Sequence, residues 1–241
     1  MSSSNKVIHK ADSRGFAKHG WLDAAHSFSF ANYYNQERMH FGALRVLNDD
    51  KIAAASGFGT HAHDNMEIIT IPLKGTIQHK DSTGTEGVIA AGDVQVMSAG
   101  SGIAHSEFNA SKSEELNLLQ IWVIPNKKDT KPRYQQAGFS VDGRMNRFQP
   151  VATSDGREGS LEILQDAAIS LANLDAGKEL SYKISRPGNG VYLFVIEGEL
   201  TVNGEQLSTR DAIGVSDTQE LKLKAAKDTR VVALDVPMTL Q

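Results

Sequence analysis

Short apolar segments rich in β-branched residues, each bounded by a Gly-, Asn- or Asp-containing turn, recur along the whole of this chain. Residues 66–71, 116–124, 180–184, 191–196 and 230–236 are such segments. Asn48-Asp49-Asp50, Asp81-Ser82-Thr83-Gly84, Gly92-Asp93, Asp142-Gly143, Asp155-Gly156 and Asn203-Gly204 read as the turns between them. Runs this short, punctuated this often, fit extended strands rather than helices. Leu221, Leu223 and Ala225 alternate with Lys222 and Lys224, the pattern of a strand with one wet face. Stretches long enough for a helix lack a sustained 3.6-residue period. The sequence predicts an all-β fold, a barrel or sandwich with few short helices.

The chain has 241 residues, 40% of them hydrophobic, enough to bury a core in one large or two small domains and too apolar for a disordered chain. Its longest unbroken apolar run, 191–196, falls far short of a membrane span. The amino terminus, Met-Ser-Ser-Ser-Asn-Lys, carries no apolar stretch of signal-peptide length, so a cytoplasmic protein is expected. Cysteine is absent, which excludes disulfides, thiolate metal sites, iron–sulfur clusters and cysteine nucleophiles together. With 25 basic against 29 acidic residues, a net charge of −4 gives no general attraction to nucleic acid.

The polar stretch 126–136, Asn-Lys-Lys-Asp-Thr-Lys-Pro-Arg-Tyr-Gln-Gln, reads as a solvated linker between two parts, 1–134 and 135–241. The parts echo one another. Leu73-Lys74-Gly75-Thr76-Ile77 has a counterpart in Ile196-Glu197-Gly198-Glu199-Leu200, and Ala91-Gly92-Asp93-Val94 loosely matches Thr209-Arg210-Asp211-Ala212. A duplicated β-barrel is expected.

The chemistry is not duplicated. All eight histidines lie between His9 and His105. Counting back from Gly198 as His61 and His63 lie back from Gly75 leads to Ile184 and Arg186, which cannot replace neutral ligands, so a metal-free second barrel is expected. His61-Ala62-His63 follows Gly57-Phe58-Gly59-Thr60, and His105-Ser106-Glu107 follows Ala99-Gly100-Ser101-Gly102. Residues i and i+2 of a strand project from one face. Two such pairs on neighbouring strands would aim three imidazoles and a carboxylate at one centre.

Residues 57–75 resemble the first cupin motif, and 92–109 the second, with His105 and Asn109 at the family's spacing. More specifically, the chain resembles the pirins, two-barrel members of the cupin superfamily. That likeness is carried by His26-Ser27-Phe28-Ser29-Phe30, Gly57-Phe58-Gly59-Thr60-His61-Ala62-His63, Met97-Ser98-Ala99-Gly100-Ser101-Gly102-Ile103-Ala104-His105-Ser106-Glu107 and Gln120-Ile121-Trp122. It is specific over about residues 14–134 and general beyond. It implies two tandem cupin-type jelly-roll barrels (a bicupin), the first, 1–134, binding metal and the second, 135–241, without ligands. Glu67 arrives one residue earlier than in the commonest cupin form. In pirins the carboxylate ligand comes from the second motif, matching Glu107, so Glu67 stays outside the ligand set, with a supporting role open to it. Ser98 stands where a proline is usual.

The resemblance thus implies one metal per chain on His61, His63, His105 and Glu107. Four protein ligands around an octahedral ion leave two positions for substrate and dioxygen. Nitrogen and oxygen donors suit Fe(II), which the family favours, and also Cu, Ni, Co, Mn or Zn. The implied activity is that of a quercetin 2,3-dioxygenase-like oxidoreductase, opening a flavonol with dioxygen and releasing carbon monoxide, with Glu107 the nearest base for the substrate's 3-hydroxyl. The alternative is a metal- or redox-responsive regulator that binds a partner enzyme or transcription factor; neither reading involves direct nucleic-acid or membrane contact. Among the other candidates, His26 is expected to be a packed histidine satisfied by backbone, His79 an exposed strand-end residue, His40 a surface group outside the pocket, and Asp64 a solvated loop carboxylate.

Overall fold

The computed structural model describes residues 5–240. Among these residues helix is confined to three single turns, Ala11–Ser13, Asp142–Arg144 and Arg157–Gly159, and none is long enough to cross a membrane. The rest is strand and turn, arranged as two barrels, each made of a seven-stranded and a four-stranded sheet.

In the first barrel the large sheet runs, in spatial order, Arg133–Gly138, Asp93–Ser98, Glu67–Lys74, Leu116–Val123, Leu44–Ile52, Leu22–His26, Gly15–Lys18. Its small sheet runs Gly57–His63, Ile103–Asn109, Thr76–Asp81, Glu86–Ala90. The second barrel repeats the plan: Asn5–His9, Ala212–Ser216, Asn189–Glu197, Thr229–Pro237, Ala168–Leu174, Gln149–Thr153, Leu161–Glu162, with Glu179–Lys183, Glu220–Ala225, Glu199–Val202, Glu205–Ser208 as its small sheet. This is the duplication that the sequence suggests, except at one edge: Leu161–Glu162 pairs parallel with Gln149–Thr153, whereas Gly15–Lys18 pairs antiparallel with Leu22–His26. The matched turns agree in detail: Gly75 and Gly198 both have positive φ, 81° and 104°. Asp93 Oδ2 accepts from the Ala90 amide and Asp211 Oδ2 from the Ser208 amide, each at 3.0 Å. Asn203 and Gly204, φ 48° and 88°, form the two-residue turn that joins Glu199–Val202 to Glu205–Ser208.

The outer strand of each large sheet comes from elsewhere in the chain. Asn5–His9 lines the second barrel by pairing with Ala212–Ser216, although it precedes the first barrel in sequence. Arg133–Gly138, emerging from the stretch that reads as a solvated linker, pairs with Asp93–Ser98 and covers the matching edge of the first barrel. Residues 134 and 135 both lie inside that strand. An uncovered edge would leave a row of unpaired amides and carbonyls, so both strands satisfy backbone as well as connect the halves.

The two large sheets pack against each other. Ile69, Ile71, Leu119 and Ile121 of the first share one buried cluster with Tyr192, Phe194, Val232 and Leu234 of the second. The alternate residues Val191, Leu193 and Val195 point the other way, into the second barrel's own core. That is why 191–196 is continuously apolar: both faces of the strand are buried.

Asn48-Asp49-Asp50 is not a turn. These residues occupy the middle of Leu44–Ile52, and all three are buried. Two of them have partners that a sequence does not display. Asn48 Oδ1 lies 2.9 Å from His26 Nδ1. Asp49 accepts from Asn117 Nδ2 at 2.9 Å and pairs with Arg210 Nε at 3.1 Å. Arg210 belongs to the second barrel and takes the turn position of Gly92 with φ 69°, so a left-handed arginine ties the two halves together.

His9 sits at this junction, its Nδ1 2.8 Å from the Tyr192 hydroxyl and its ring beside Phe28. Burial, and then Arg38, lowers its pKa from 6.5 to about 4. Above pH 6.5 the ring is neutral in folded and unfolded chains alike. Between pH 6.5 and about 4 the unfolded chain takes up a proton that the folded one refuses, so stability falls as pH falls through that window. His9→Asn keeps a polar atom near Tyr192 and removes this titration. Its melting temperature is expected to decline less steeply across the window than the parent's, as measured by calorimetry at stepped pH. Identical slopes would show that His9 takes no part.

Candidate metal centre

The small sheet of the first barrel sets the histidines. Gly57–His63 and Ile103–Asn109 are antiparallel, with His105 opposite His61 and Ile103 opposite His63. Alternation puts His61 and His63 on one face, and His105 and Glu107 on one face of the neighbouring strand. A register shift between His105 and Glu107 adjusts the second pair against the first.

The three imidazoles meet through their Nε2 atoms. His105 Nε2 lies 3.0 Å from His61 Nε2 and 3.0 Å from His63 Nε2. His61 Nδ1–H donates to the Gly59 carbonyl at 2.8 Å, which leaves the Nε2 lone pair facing its neighbours. Burial, reinforced by His61, lowers His63 to about 4, and burial with His61, His63 and His79 lowers His105 to about 3. Both rings are therefore neutral at neutral pH, the state that binds metal. Nitrogen donors about 2.1 Å from one ion and at right angles to one another stand about 3 Å apart, as these do. Bare lone pairs so close repel unless a positive centre lies among them. The donor set fits a single divalent transition metal.

Glu107 is buried, on the same strand as His105. Gln120 Nε2 donates to its Oε2 at 3.0 Å, and the Thr70 hydroxyl lies 3.4 Å from Oε1. Burial pushes its carboxyl up to about 7, against the opposing pull of Gln120 and Thr70. A cavity of about 240 Å³ opens beside these groups, walled by Phe30, Phe58, Ile68 and Trp122 and reached by Asp50, Glu107 and Gln120. Asp50 Oδ1 is buried without a hydrogen-bond partner, and burial, Asp49 and Glu107 raise that carboxyl to about 8.

The remaining sequence candidates fall away from the cluster, with one exception. His26 is packed, but its partner is the Asn48 side chain rather than backbone. His40 and Asp64 are exposed. Glu67 points to the other face of its strand from Thr70, where Ser98 Oγ donates to it at 2.8 Å, so it gives the ligands no support. Asn109 Nδ2 donates to three carbonyls, Ile52, Ala53 and Glu114, and holds a loop. The exception is His79. It is fully buried, 5.2 Å centroid to centroid from His105, and hydrogen-bonded to Asp81, not an exposed strand end. Thr70, Gln120 and Asp50 have no role in the sequence expectations; for Thr70 and Gln120 the signal was a lone polar residue in an apolar strand, which needs a partner when buried.

Two tandem antiparallel barrels, the first enclosing a histidine cluster and the second filled with aliphatic side chains, define a two-barrel cupin. A pirin family model matches residues 8–123, and a model of the quercetinase C-terminal cupin domain matches residues 150–236. The chain belongs to the pirin family. It is 44% identical over 231 residues to the quercetin 2,3-dioxygenase of Escherichia coli K12, covering 95% of this chain and 98% of that one. A putative quercetin 2,3-dioxygenase of Pseudomonas aeruginosa is 44% identical over 226 residues, covering 93% of this chain and 97% of that one. Among solved structures, the Escherichia coli pirin YhhW in complex with nickel(II) superposes with a TM-score of 0.92 at 42% identity, covering 98% of this chain and all of that one.

The strands carrying the cluster approach closely at Gly57. A Cβ there would stand 2.2 Å from the Glu107 carbonyl oxygen and 2.5 Å from Phe108 Cα, whereas a Cβ at Gly59 meets nothing within 4 Å. Overpacking of this kind costs about 1–3 kcal/mol, or roughly 2–12 °C of melting temperature in a chain of this size. Gly57→Ala is expected to melt lower by that amount, and Gly59→Ala to melt close to the parent.

Proposed function

We propose that this chain opens flavonols such as quercetin with dioxygen, releasing carbon monoxide, at one divalent metal held by His61, His63, His105 and Glu107, with Fe(II) as its working ion. The observation that carries the reading is the convergence of three imidazoles, with His105 Nε2 3.0 Å from the Nε2 of both His61 and His63, beside a buried carboxyl and an aromatic-walled cavity. The names borne by the Escherichia coli and Pseudomonas aeruginosa relatives support the substrate, and the nickel(II) complex of the Escherichia coli pirin supports a divalent ion.

When bound, the ion supplies Lewis acidity toward the substrate oxygens and redox chemistry toward dioxygen. The protein supplies the rest. Glu107 is the carboxylate beside the histidine cluster in the cavity wall, placed to accept the flavonol's 3-hydroxyl proton. Gln120 orients that carboxylate through the bond its Nε2 donates, and the Thr70 hydroxyl, 3.1 Å from Gln120 Oε1, holds the amide in that orientation. Phe30, Phe58 and Trp122 offer flat apolar faces to an aromatic substrate and exclude water from the acid–base pair. Asp50, protonated at neutral pH, is a hydrogen-bond donor available to a second substrate oxygen.

Quercetin consumption and carbon monoxide release, measured for protein loaded in turn with iron, copper, nickel and manganese against free metal, test the reading. His61→Ala is expected to lose tight metal binding while its barrel stays folded. Glu107→Gln is expected to retain metal through the histidines and to turn over about 10²-fold more slowly per bound ion, the range of general-base loss. If fully metallated Glu107→Gln matches the parent, Glu107 is not the base. If no loaded form outpaces free metal, flavonol opening is wrong and the regulatory reading takes its place.

A further inference from the structure

We infer that Asp81 and His79 form a hydrogen-bonded relay behind His105 that fixes which of its ring nitrogens carries the proton, and so sets the affinity of the histidine cluster for a divalent ion. The inference rests on the metal-binding reading above and adds two positioning residues to it.

His79 lies on Thr76–Asp81, the strand next to Ile103–Asn109, with Glu107 opposite His79 and His105 opposite Asp81. It is fully buried, so both of its ring nitrogens need partners from the protein. Its Nε2 lies 3.1 Å from Asp81 Oδ2 and its Nδ1 lies 3.4 Å from His105 Nδ1. The Tyr134 ring packs against its face at 4.9 Å between centroids.

The direction of the chain of bonds follows from Asp81. Its Oδ1 is committed to the turn, accepting from the Thr83 amide at 2.8 Å, the Thr83 hydroxyl at 2.6 Å and the Thr85 amide at 3.2 Å. Burial works against its charge, but the bonds from Thr83, His79 and Thr85 prevail and hold the carboxyl below its usual range. An ionised carboxylate can only accept, so His79 must carry its proton on Nε2. A neutral His79 then presents a lone pair at Nδ1, and the facing nitrogen of His105 must be the donor. With its proton on Nδ1, His105 turns an unprotonated Nε2 toward His61 and His63. His61 reaches the same state by a separate route, its Nδ1–H bonded to the Gly59 carbonyl. Carboxylate or carbonyl acceptors behind a ligand histidine fix ring orientation and raise basicity; here one imidazole is interposed.

A competing arrangement is available to the same atoms. His79, His105 and Glu107 each offer a ligand atom, and these atoms lie within 4.8 Å of one another. A cation held there through His105 Nδ1 would compete with the proton that the relay places on that nitrogen.

Asp81→Asn is the decisive variant. Its amide oxygen can continue to serve the turn, but the amide nitrogen then faces His79 Nε2 as a donor. His79 must move its proton to Nδ1, donor against donor with His105, and His105 is driven toward the form with a blocked Nε2. His79→Phe keeps the packing on Tyr134 and removes the acceptor outright. Zinc(II) affinity of the full chain, measured by chelator competition, is expected to fall about 10–100-fold in each variant, the range for lost partners of metal-ligating histidines. Melting temperatures without added metal, recorded alongside, are expected to stay near the parent's for Asp81→Asn. In the zinc-loaded parent, histidine-selective ¹H–¹⁵N NMR is expected to find the proton of His79 on Nε2 and that of His105 on Nδ1, a signature that packing alone would not produce.

The outcomes separate. If the parent binds no zinc tightly, or binds it equally well as His61→Ala, the metal-binding reading itself fails. If the parent binds one equivalent that His61→Ala loses, and both relay variants bind as tightly as the parent, the relay alone is overturned. If the parent binds two equivalents and His79→Phe loses one, the His79–His105–Glu107 group is a second cation site and the relay is again wrong.

Discussion

Two seven-stranded sheets meet across a shared apolar layer, and the placement of every other group depends on it. Ile69, Ile71, Leu119 and Ile121 are held from behind by Tyr192, Phe194, Val232 and Leu234. Each large side chain buried there contributes about 1.5–3 kcal/mol relative to exposure. Because the side chains of a strand alternate, holding one face immobilises the other. Ile68, Thr70, Gln120 and Trp122, on the opposite faces of those same strands, are thereby presented to the first barrel's interior at fixed positions. The edge strands Asn5–His9 and Arg133–Gly138, and the Arg210–Asp49 ion pair, add directional contacts at the edges of this layer.

The same barrel plan has two interiors. In the second, Tyr182, Leu221 and Leu223 close the space with apolar atoms, Ile184 packs against them, and Arg186 turns outward to Asp166. In the first, the corresponding sheet aims His61, His63, His105 and Glu107 inward. A buried ionisable group is tolerated only if it is neutral or paired. His63 and His105 meet that condition through lowered pKa values, and Glu107 through a raised one with Gln120 and Thr70 at its oxygens. The condition that makes burial tolerable also prepares these groups for metal and for proton transfer.

Much of this was legible in the chain. The two His-x-His and His-x-Glu pairs, the turn spacing and the repeated Gly75 and Gly198 turns all rest on neighbours within a few residues, and local geometry carries over to the folded state. What was misread depends on distant partners. Asn48-Asp49-Asp50 has the composition of a turn, yet His26, Asn117 and Arg210 supply contacts that let it run through a strand. His79 beside Lys80 and Asp81 looks solvated; only the pairing of its strand with Ile103–Asn109 encloses it. Glu67 has the parity of a supporting residue until the strand's two faces are assigned, when it falls on the side of Ser98.

The β character, the duplication, the confinement of histidine to the first half and the two same-face pairs can be read from the chain alone, because a period of two and a glycine turn are properties of the local backbone. Which strands become neighbours emerges only in three dimensions: that Asn5–His9 completes the far barrel, that Arg133–Gly138 closes the near one, and that His105 has His61 and His63 on one side and His79 on the other. Strand pairing joins residues tens of positions apart through backbone groups that are identical at every residue, and it is the shape and polarity of the buried faces that select one register among them.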